Sequence, residues 1–555
     1  MHADEVLVGQ VLTLDDAGRR AEALAVRDGR IVAVGSRDAM LELRRPGTRL
    51  REFPGCTLIP GFNDAHAHMD GIGARMIRPS LEACRSIADI QARIRALAAA
   101  TPRGEWVVTM PVGQPPYYFD APKTLAEGRL PNRRELDAAA PEHPVYIPSP
   151  GGYWGEPPCH AAMNSLALQR NGIDRHTRAT SPNTIIERDA DGEPTGNFTE
   201  KSYVNLLEPD LLPAVPRFTY AERLEGIRKA MAAYHGVGTT SIYEGHGCAP
   251  DVIAAYRELR ERGELTMRSA LVVSPRWRSR EEAEASLRDW LPHLRGQGIG
   301  DEWLRVTGVF IAHGGDPNVQ VVQLKDLTHV SWSGFTQQAN ASAEFEALCQ
   351  LAGKYDVRVH TIVSDKLAVV APVIARLAKQ FPIGERRWVL EHISRATRAD
   401  LETLREVGVP VTLIPGQYVW KHASPFMKLP PEEQDLLSPA KALHEMGVPV
   451  SAGTDAVPYN PLFALWSMVT RKERHTGRVF GPGGRTTNEV ALRLLTRAGA
   501  YLSFEENVKG QLAPGHFADV AVLSGDPLAT QGDGLLELQC KATMAGGRWV
   551  HGEWA

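Results

Sequence analysis

The stretch Leu58-Ile59-Pro60-Gly61-Phe62-Asn63-Asp64-Ala65-His66-Ala67-His68-Met69-Asp70 decides how the chain is read. An apolar run meets a Pro-Gly turn signal, and two histidines follow one residue apart. Side chains on a strand alternate with a period of two, so His66 and His68 face the same side. Two neutral imidazoles converging from one strand end make half of a metal site. A lone His-x-His is a common chance pair on loops. This one follows a buried-looking strand at the head of a long α/β pattern, so further ligands are expected downstream.

Upstream, residues 5–60 read as short strands broken by turn signals, among them Val6-Leu7-Val8, Ala23-Leu24-Ala25-Val26 and Ile31-Val32-Ala33-Val34. The unit is too small to be stable alone. Partner strands stand at the far end, in Ala518-Asp519-Val520-Ala521-Val522-Leu523, Lys541-Ala542-Thr543-Met544 and Gly546-Gly547-Arg548-Trp549-Val550. The two ends, 1–57 and 505–555, are expected to join in one composite β-sandwich.

Downstream, 58–504 reads as strands alternating with helices, the pattern of a parallel sheet. A Pro- and Gly-rich insertion at 70–215 follows the first strand. Strands then recur at 239–243, 267–273, 304–311, 357–362, 388–392, 409–414 and 448–455, each preceded by a helical stretch. With the first strand this makes about eight βα units, and the fold class predicted is α/β, a closed (β/α)8 TIM barrel carrying the sandwich and the insertion.

Bulk properties exclude several functions. A chain of 555 residues with formal net charge −4 gives no reason to expect nucleic acid or an anionic membrane as partner. No apolar run reaches the roughly 18 residues that a membrane-crossing helix needs, and the N-terminus lacks the pattern of a signal peptide. The six cysteines are scattered, with no Cys-x-x-Cys, and read as reduced thiols of a cytoplasmic protein.

In such barrels chemistry sits where the strands end. Four of the eight strands end in a metal-competent residue: His66 and His68 on strand 1, His360 on strand 5, His392 on strand 6 and Asp455 on strand 8. Folding stability asks for none of them there. Nitrogen and oxygen ligands with an open position suit Zn²⁺, with Fe²⁺ or Mn²⁺ as alternatives. Such a cation makes hydroxide available near neutral pH, and a carboxylate beside the water takes its proton and delivers it to the leaving group. Asp455 is placed for that double role. The expected reaction is hydrolysis at a carbonyl-type carbon, C–N cleavage above all.

With these residues in view, the chain resembles the amidohydrolase superfamily and, within it, the YtcJ-like (amidohydrolase 3) group. The resemblance runs through Pro60–His68, Pro131-Asn132-Arg133-Arg134-Glu135-Leu136-Asp137, His160 followed by Asn164-Ser165-Leu166-Ala167-Leu168, and Asp191-Gly192-Glu193-Pro194-Thr195-Gly196. It continues in Val359-His360, Leu390-Glu391-His392, Gly453-Thr454-Asp455 and Gly510–Asp519. It implies a metal-dependent hydrolase acting on C–N bonds of a small molecule; a homodimer is the general default for assembly.

Two departures stand out. Members of the group commonly carry a strand-4 lysine, carboxylated to bridge two metals. Here that strand reads Val306-Thr307-Gly308-Val309-Phe310-Ile311-Ala312-His313, and Phe310 stands in the lysine's place. The expectation is therefore one ion, with two left open, held by His66, His68, His360 and Asp455. His392 would be a further ligand or a donor to the substrate carbonyl; Glu244 and His313 are candidate compensating ligands. In the insertion, Gly151–His160 differs from the Asp-Gly-His usual in the group. Tyr153, Trp154 and His160, with Phe310 and Trp332, are candidate pocket wall. The alternatives are a metal-dependent lyase or decarboxylase on the same barrel, and a non-catalytic binding protein.

Overall fold

The computed structural model describes residues 2–114, 118, 122–203, 206–315, 320 and 338–554. The chain forms two compact units, one from Met1–Met69, Met231–Gly314 and Asn340–Ala555, the other from Asp70–Ala230 and Gly315–Ala339.

In the first unit the two chain ends meet in one seven-stranded sheet. Its order is Arg548–His551, Cys540–Ala545, Val520–Leu523, Arg49–Pro60, Glu5–Leu12, Arg20–Arg27 and Arg30–Gly35. Strand alternation gives the sheet two apolar faces. Leu58, Val520 and Val522 join Leu7, Leu24 and Met544 in one cluster, while Ile59, Ala521 and Leu523 join the large core beneath the barrel helices. The run Leu58–Pro60, read from sequence as the start of the first barrel strand, is the end of Arg49–Pro60 and pairs with Val520–Val522. The barrel strand begins beyond Gly61, where an added Cβ would fall 2.2 Å from Thr240 Oγ1. The Pro60-Gly61 turn signal stands at this change of sheet.

The barrel expected from the alternating pattern is present. Eight parallel strands follow one another in chain order among the described residues: Phe62–Asp64, Thr239–Cys248, Arg268–Val273, Leu304–Phe310, Val359–Ile362, Val389–Glu391, Val411–Leu413 and Val450–Ala452. The first and last strands close through the residues just past them. Asp455 N–H donates to the His66 carbonyl at 2.8 Å, and Thr454 N–H and Oγ donate to the two Asp64 oxygens at 2.8 and 2.5 Å. The seam is so tight that a Cβ on Gly453 would lie 2.4 Å from His66 N. The helices between strands carry local signals. Arg398–Val407 starts at a reciprocal Thr397–Asp400 capping box, buries Leu401 and Leu404, and ends at Gly408 with φ 72°.

The second unit has a five-stranded sheet, ordered Val107–Val108, Val145–Ile147, Cys159–Met163, Pro194–Glu200 and Thr184–Arg188. Two of the motifs behind the family resemblance are structural here. Asn132 caps helix Arg133–Ala139 with a Glu135 capping box, and Asp137 in that helix accepts from Ser165 N and Oγ at 2.9 and 2.6 Å. Asn164 accepts from Val145 N and Ala167 N. No helix among the described residues is long and apolar enough to cross a membrane.

The late motif ending in Asp519 is structural too. Asp519 pairs with Arg268 at 2.7 and 3.3 Å and accepts from Gly546 N–H at 2.7 Å. The Arg268 guanidinium lies over Phe517 and Trp303, 3.7 and 4.3 Å from their ring centroids. Both members are buried, so removing one strands the other's charge. Asp519→Ala is expected to cost about 3–5 kcal/mol, read from the denaturant midpoint, and a loss below about 1 kcal/mol would contradict this role for the pair.

Candidate metal centre

Five potential ligand side chains converge at the barrel's strand ends, all in the first unit. His66 and His68 follow strand Phe62–Asp64. His246 stands near the end of Thr239–Cys248, His392 follows Val389–Glu391, and Asp455 follows Val450–Ala452. Donor atoms of His66, His68 and His246 lie within 4.8 Å of one another, as do those of His66, His392 and Asp455. All five are buried, none more than 7% exposed.

The separations match the needs of a cation. His66 Nε2 and His392 Nε2 face each other at 2.9 Å, and His68 Nε2 is 3.0 Å from Asp455 Oδ1. His392 Nε2 is 3.6 Å from Asp455 Oδ2, and His66 Nε2 is 3.9 Å from Asp455 Oδ1. Ligands about 2.0–2.1 Å from a tetrahedral zinc stand ~3.3 Å apart, inside this range. Two imidazole nitrogens so close need a proton or a cation between them. The His246 ring centroid lies 4.5 Å from that of His66 and 4.8 Å from those of His68 and His392.

Electrostatics favour a positive guest. Burial, reinforced by neighbouring imidazoles, pushes His66 and His246 well below the ordinary histidine range. Burial lowers His392 to about 4, against the pull of Asp455. For His68 burial is outweighed by hydrogen bonds to Asp455 and Glu244, and its pKa rises to about 10. Burial would raise Asp455, but His392, His68 and Lys421 hold it below the usual carboxylate range. The imidazoles of His66, His246 and His392, held neutral by burial beside an ionised Asp455, form a donor set that suits a divalent ion.

The backbone is strained at the same place. His392, Asp455 and Ala456 have φ of 63°, 53° and 56°. The left-handed region costs a non-glycine residue about 1–3 kcal/mol, and such strain persists where surrounding structure over-determines it. At His392 and Asp455 it occurs where each side chain turns into the cluster.

Carboxylates stand behind two of the histidines. Glu244, a candidate ligand by sequence, sits 3.6 Å from His68 Nδ1 through Oε2, while its Oε1 accepts from Met69 N and Tyr256 Oη at 2.7 and 2.9 Å. That is the place of a carboxylate behind a metal-binding histidine. Glu391 lies 3.7 Å from His66 Nδ1 and 3.2 Å from His360 Nδ1. Burial raises it to about 8, opposed by the His68 and Arg358 charges.

The arrangement differs from the sequence expectation at three further positions, His360, His246 and His313. His360 was expected as a ligand, yet both of its ring nitrogens meet protein partners, Tyr243 Oη at 3.1 Å and Glu391 Oε1 at 3.2 Å. His246, missed by sequence reasoning, stands in the cluster instead. It lies two residues from Glu244 on one strand, so the alternation argument made for His66 and His68 would have found it. His313 bonds Ser342 Oγ at 3.0 Å and packs edge-on to Phe345, neither of them in the cluster. Phe310, 2% exposed, sets its ring 5.7 Å from that of His246 and is an apolar wall where a lysine was absent.

The insertion candidates belong to the second unit. Trp154 is buried beneath the Arg75 guanidinium at 4.0 Å, and His160 Nδ1 is 3.0 Å from Thr199 Oγ1. The side chain of Tyr153, and Trp332 altogether, lie outside the described residues.

Comparison with known proteins agrees with this architecture. The model of the amidohydrolase family matches residues 54–551. The chain is 25% identical to the putative amidohydrolase YtcJ of Bacillus subtilis, over 98% of each chain. It is 24% identical to the N-substituted formamide deformylase of Arthrobacter pascens, over 98% of this chain and 97% of that protein. A crystal structure of an uncharacterised metal-dependent hydrolase from Pyrococcus furiosus superposes with a TM-score of 0.65 at 19% identity, covering 94% of this chain and 99% of that one.

Proposed function

The chain belongs to the amidohydrolase family, and from that premise we propose that it hydrolyses a C–N bond of an amide, cyclic amide or N-acyl compound at a single-metal centre. The observation that carries the reading is the convergence of His66, His68, His246, His392 and Asp455 in one buried cluster. Zinc is the ion that suits this donor set best, with Fe²⁺ and Mn²⁺ as alternatives. Held there, a divalent ion supplies a polarising charge for a carbonyl and lowers the pKa of water.

The chain's own residues supply the rest. Asp455 Oδ2, on an ionised side chain beside His392, accepts the proton of the attacking water and returns it to the leaving nitrogen. His392 is anchored by Tyr418 Oη, 3.2 Å from its Nδ1, which leaves Nε2 turned to the cluster. Glu244 orients His68. Phe310 keeps one side of the cluster apolar, which strengthens each charge there. The deformylase named above acts on N-substituted formamides, and small N-formyl and N-acyl amides head the substrate class. The substrate is a small molecule, and six cysteines without a disulfide fit a reducing, cytoplasmic setting.

The test is turnover of N-formyl, N-acyl and cyclic amides in ¹⁸O-labelled water. The expected outcome is amine release with one ¹⁸O in the new carboxylate. Carbon dioxide release without label in the organic product would overturn hydrolysis in favour of a lyase.

A further inference from the structure

We propose that Gln417 is a specificity-determining residue: its side-chain oxygen accepts the N–H of the leaving nitrogen, so that secondary amides are selected over N,N-disubstituted ones. The proposal rests on the hydrolysis reading above and narrows its substrate class.

Strand Val411–Leu413 brings no side chain to the donor cluster. The chain beyond it winds into a π-helix, Gly416–Lys421, a rare form that recurs at functional sites. This turn is wedged between the elements that carry His392 and Asp455. On one flank Tyr418 Oη stands 3.2 Å from His392 Nδ1 and 3.0 Å from Ser364 Oγ. On the other, a Cβ at Gly416 would lie 2.0 Å from the carbonyl oxygen of Val457, two residues beyond Asp455, so glycine is what lets the turn approach.

The faces of the turn divide the work. Val419 joins Ala423, Leu437 and Phe480 in an apolar cluster, and Trp420 packs edge-on to Phe463 at 5.0 Å. Gln417 and Lys421, four residues apart, share another face. That face turns toward Asp455, whose carboxyl feels the Lys421 charge. The backbone of Gln417 is fixed on both sides, its N–H donating to the Ile414 carbonyl at 3.1 Å and its carbonyl accepting from His422 N–H at 2.9 Å. Its side chain is 6% exposed, and Oε1 is buried without a hydrogen-bond partner among the described residues. A buried carboxamide oxygen left without a donor is costly.

A substrate brings the missing donor. The leaving nitrogen has to lie beside Asp455, which returns a proton to it. In a secondary amide that nitrogen carries a hydrogen of its own, and Gln417 Oε1 is the acceptor on the same side. Holding that N–H turns the nitrogen's lone pair away from Gln417 and toward the proton on Asp455. An N,N-disubstituted amide has no donor there and sets carbon against a buried oxygen.

The test compares N-phenethylformamide with its N-methyl counterpart. The parent is expected to prefer the N–H compound by about tenfold to a hundredfold in kcat/KM, the worth of pairing a buried acceptor. Gln417→Met, close in size and without a polar end, should bring the N–H compound down to the rate of the N-methyl one. The N-methyl rate, metal content and thermal midpoint should stay those of the parent. Calorimetry repeats the comparison without turnover: the Asp455→Asn chain should bind the N–H compound more tightly, and adding Gln417→Met should erase the difference. A parent with no preference, a preference that survives Gln417→Met, or an equal loss on both compounds would overturn the proposal. Turnover of neither compound by the parent would count against the hydrolysis reading instead, and the calorimetric preference would then decide the role of Gln417 by itself.

Discussion

Asp455→Asn is expected to lower turnover by about a thousandfold to ten-thousandfold, with the fold intact and the metal still bound. The substitution is close to isosteric, so the backbone bond from Asp455 N–H to the His66 carbonyl and the positive φ at 455 can both persist. The amide oxygen can still accept from His68, which stands 3.0 Å from the carboxylate. What is lost is the charge and the basic oxygen. An amide takes no proton from water near neutral pH and has none to return to a leaving nitrogen, so base and acid disappear together. Each function is worth about a hundredfold to ten-thousandfold, and because one group serves both, the loss falls within a single range. The measurement is kcat on the best amide substrate with metal content determined on the same sample. Activity within about tenfold of the parent, with metal retained, would remove Asp455 from the proton-transfer role. Loss of metal together with activity would make it chiefly a ligand.

How far the sequence foretold this centre depends on the range over which each feature is determined. The eight-strand barrel and the union of the chain ends were legible because alternation of apolar and polar residues is local and repeated. His66, His68, His392 and Asp455 were legible because each stands within about four residues of a strand end. His246 obeys the same rule. It stands two residues beyond Glu244 on the same strand, with a glycine on either side. The fate of His360 was not legible. It depends on Tyr243, which reaches its Nε2 from strand Thr239–Cys248, and on Arg358, two residues before it, which donates to the same phenol. At Gly61 the turn signal marks the change of sheet, but an apolar strand end is equally suited to either sheet, and the choice falls to the partner, Val520–Val522. In the insertion, Pro and Gly masked a five-stranded sheet whose strands pair across long separations, as Cys159–Met163 does with Pro194–Glu200.

Elemental analysis of protein purified without added metal or chelator is expected to find one divalent ion per chain, and exhaustive chelation to abolish hydrolysis until that ion is returned. The argument for one ion is chemical. Two cations ~3.5–4 Å apart, as in two-metal sites, repel strongly in a buried setting unless an anion bridges them. The strand-4 position that would supply a carboxylated lysine holds Phe310, a neutral ring packed 5.7 Å from that of His246. The nearby glutamates face the outer nitrogens of histidines, Glu244 behind His68 and Glu391 between His66 and His360. Asp455 is then the one carboxylate inside the donor cluster among the described residues, and a single carboxylate with neutral imidazoles balances one divalent charge better than two. The ion is also expected to stabilise the fold, by about 4 kcal/mol when free metal exceeds its dissociation constant a thousandfold, which thermal unfolding of the apo and reloaded protein would measure. Two equivalents per chain would mean that Asp455 or a carboxylate now behind a histidine swings in to bridge. Phe310→Ala, which opens that wall without adding a donor, would then leave both ions in place, whereas Glu391→Gln or Glu244→Gln would release one and identify the bridge.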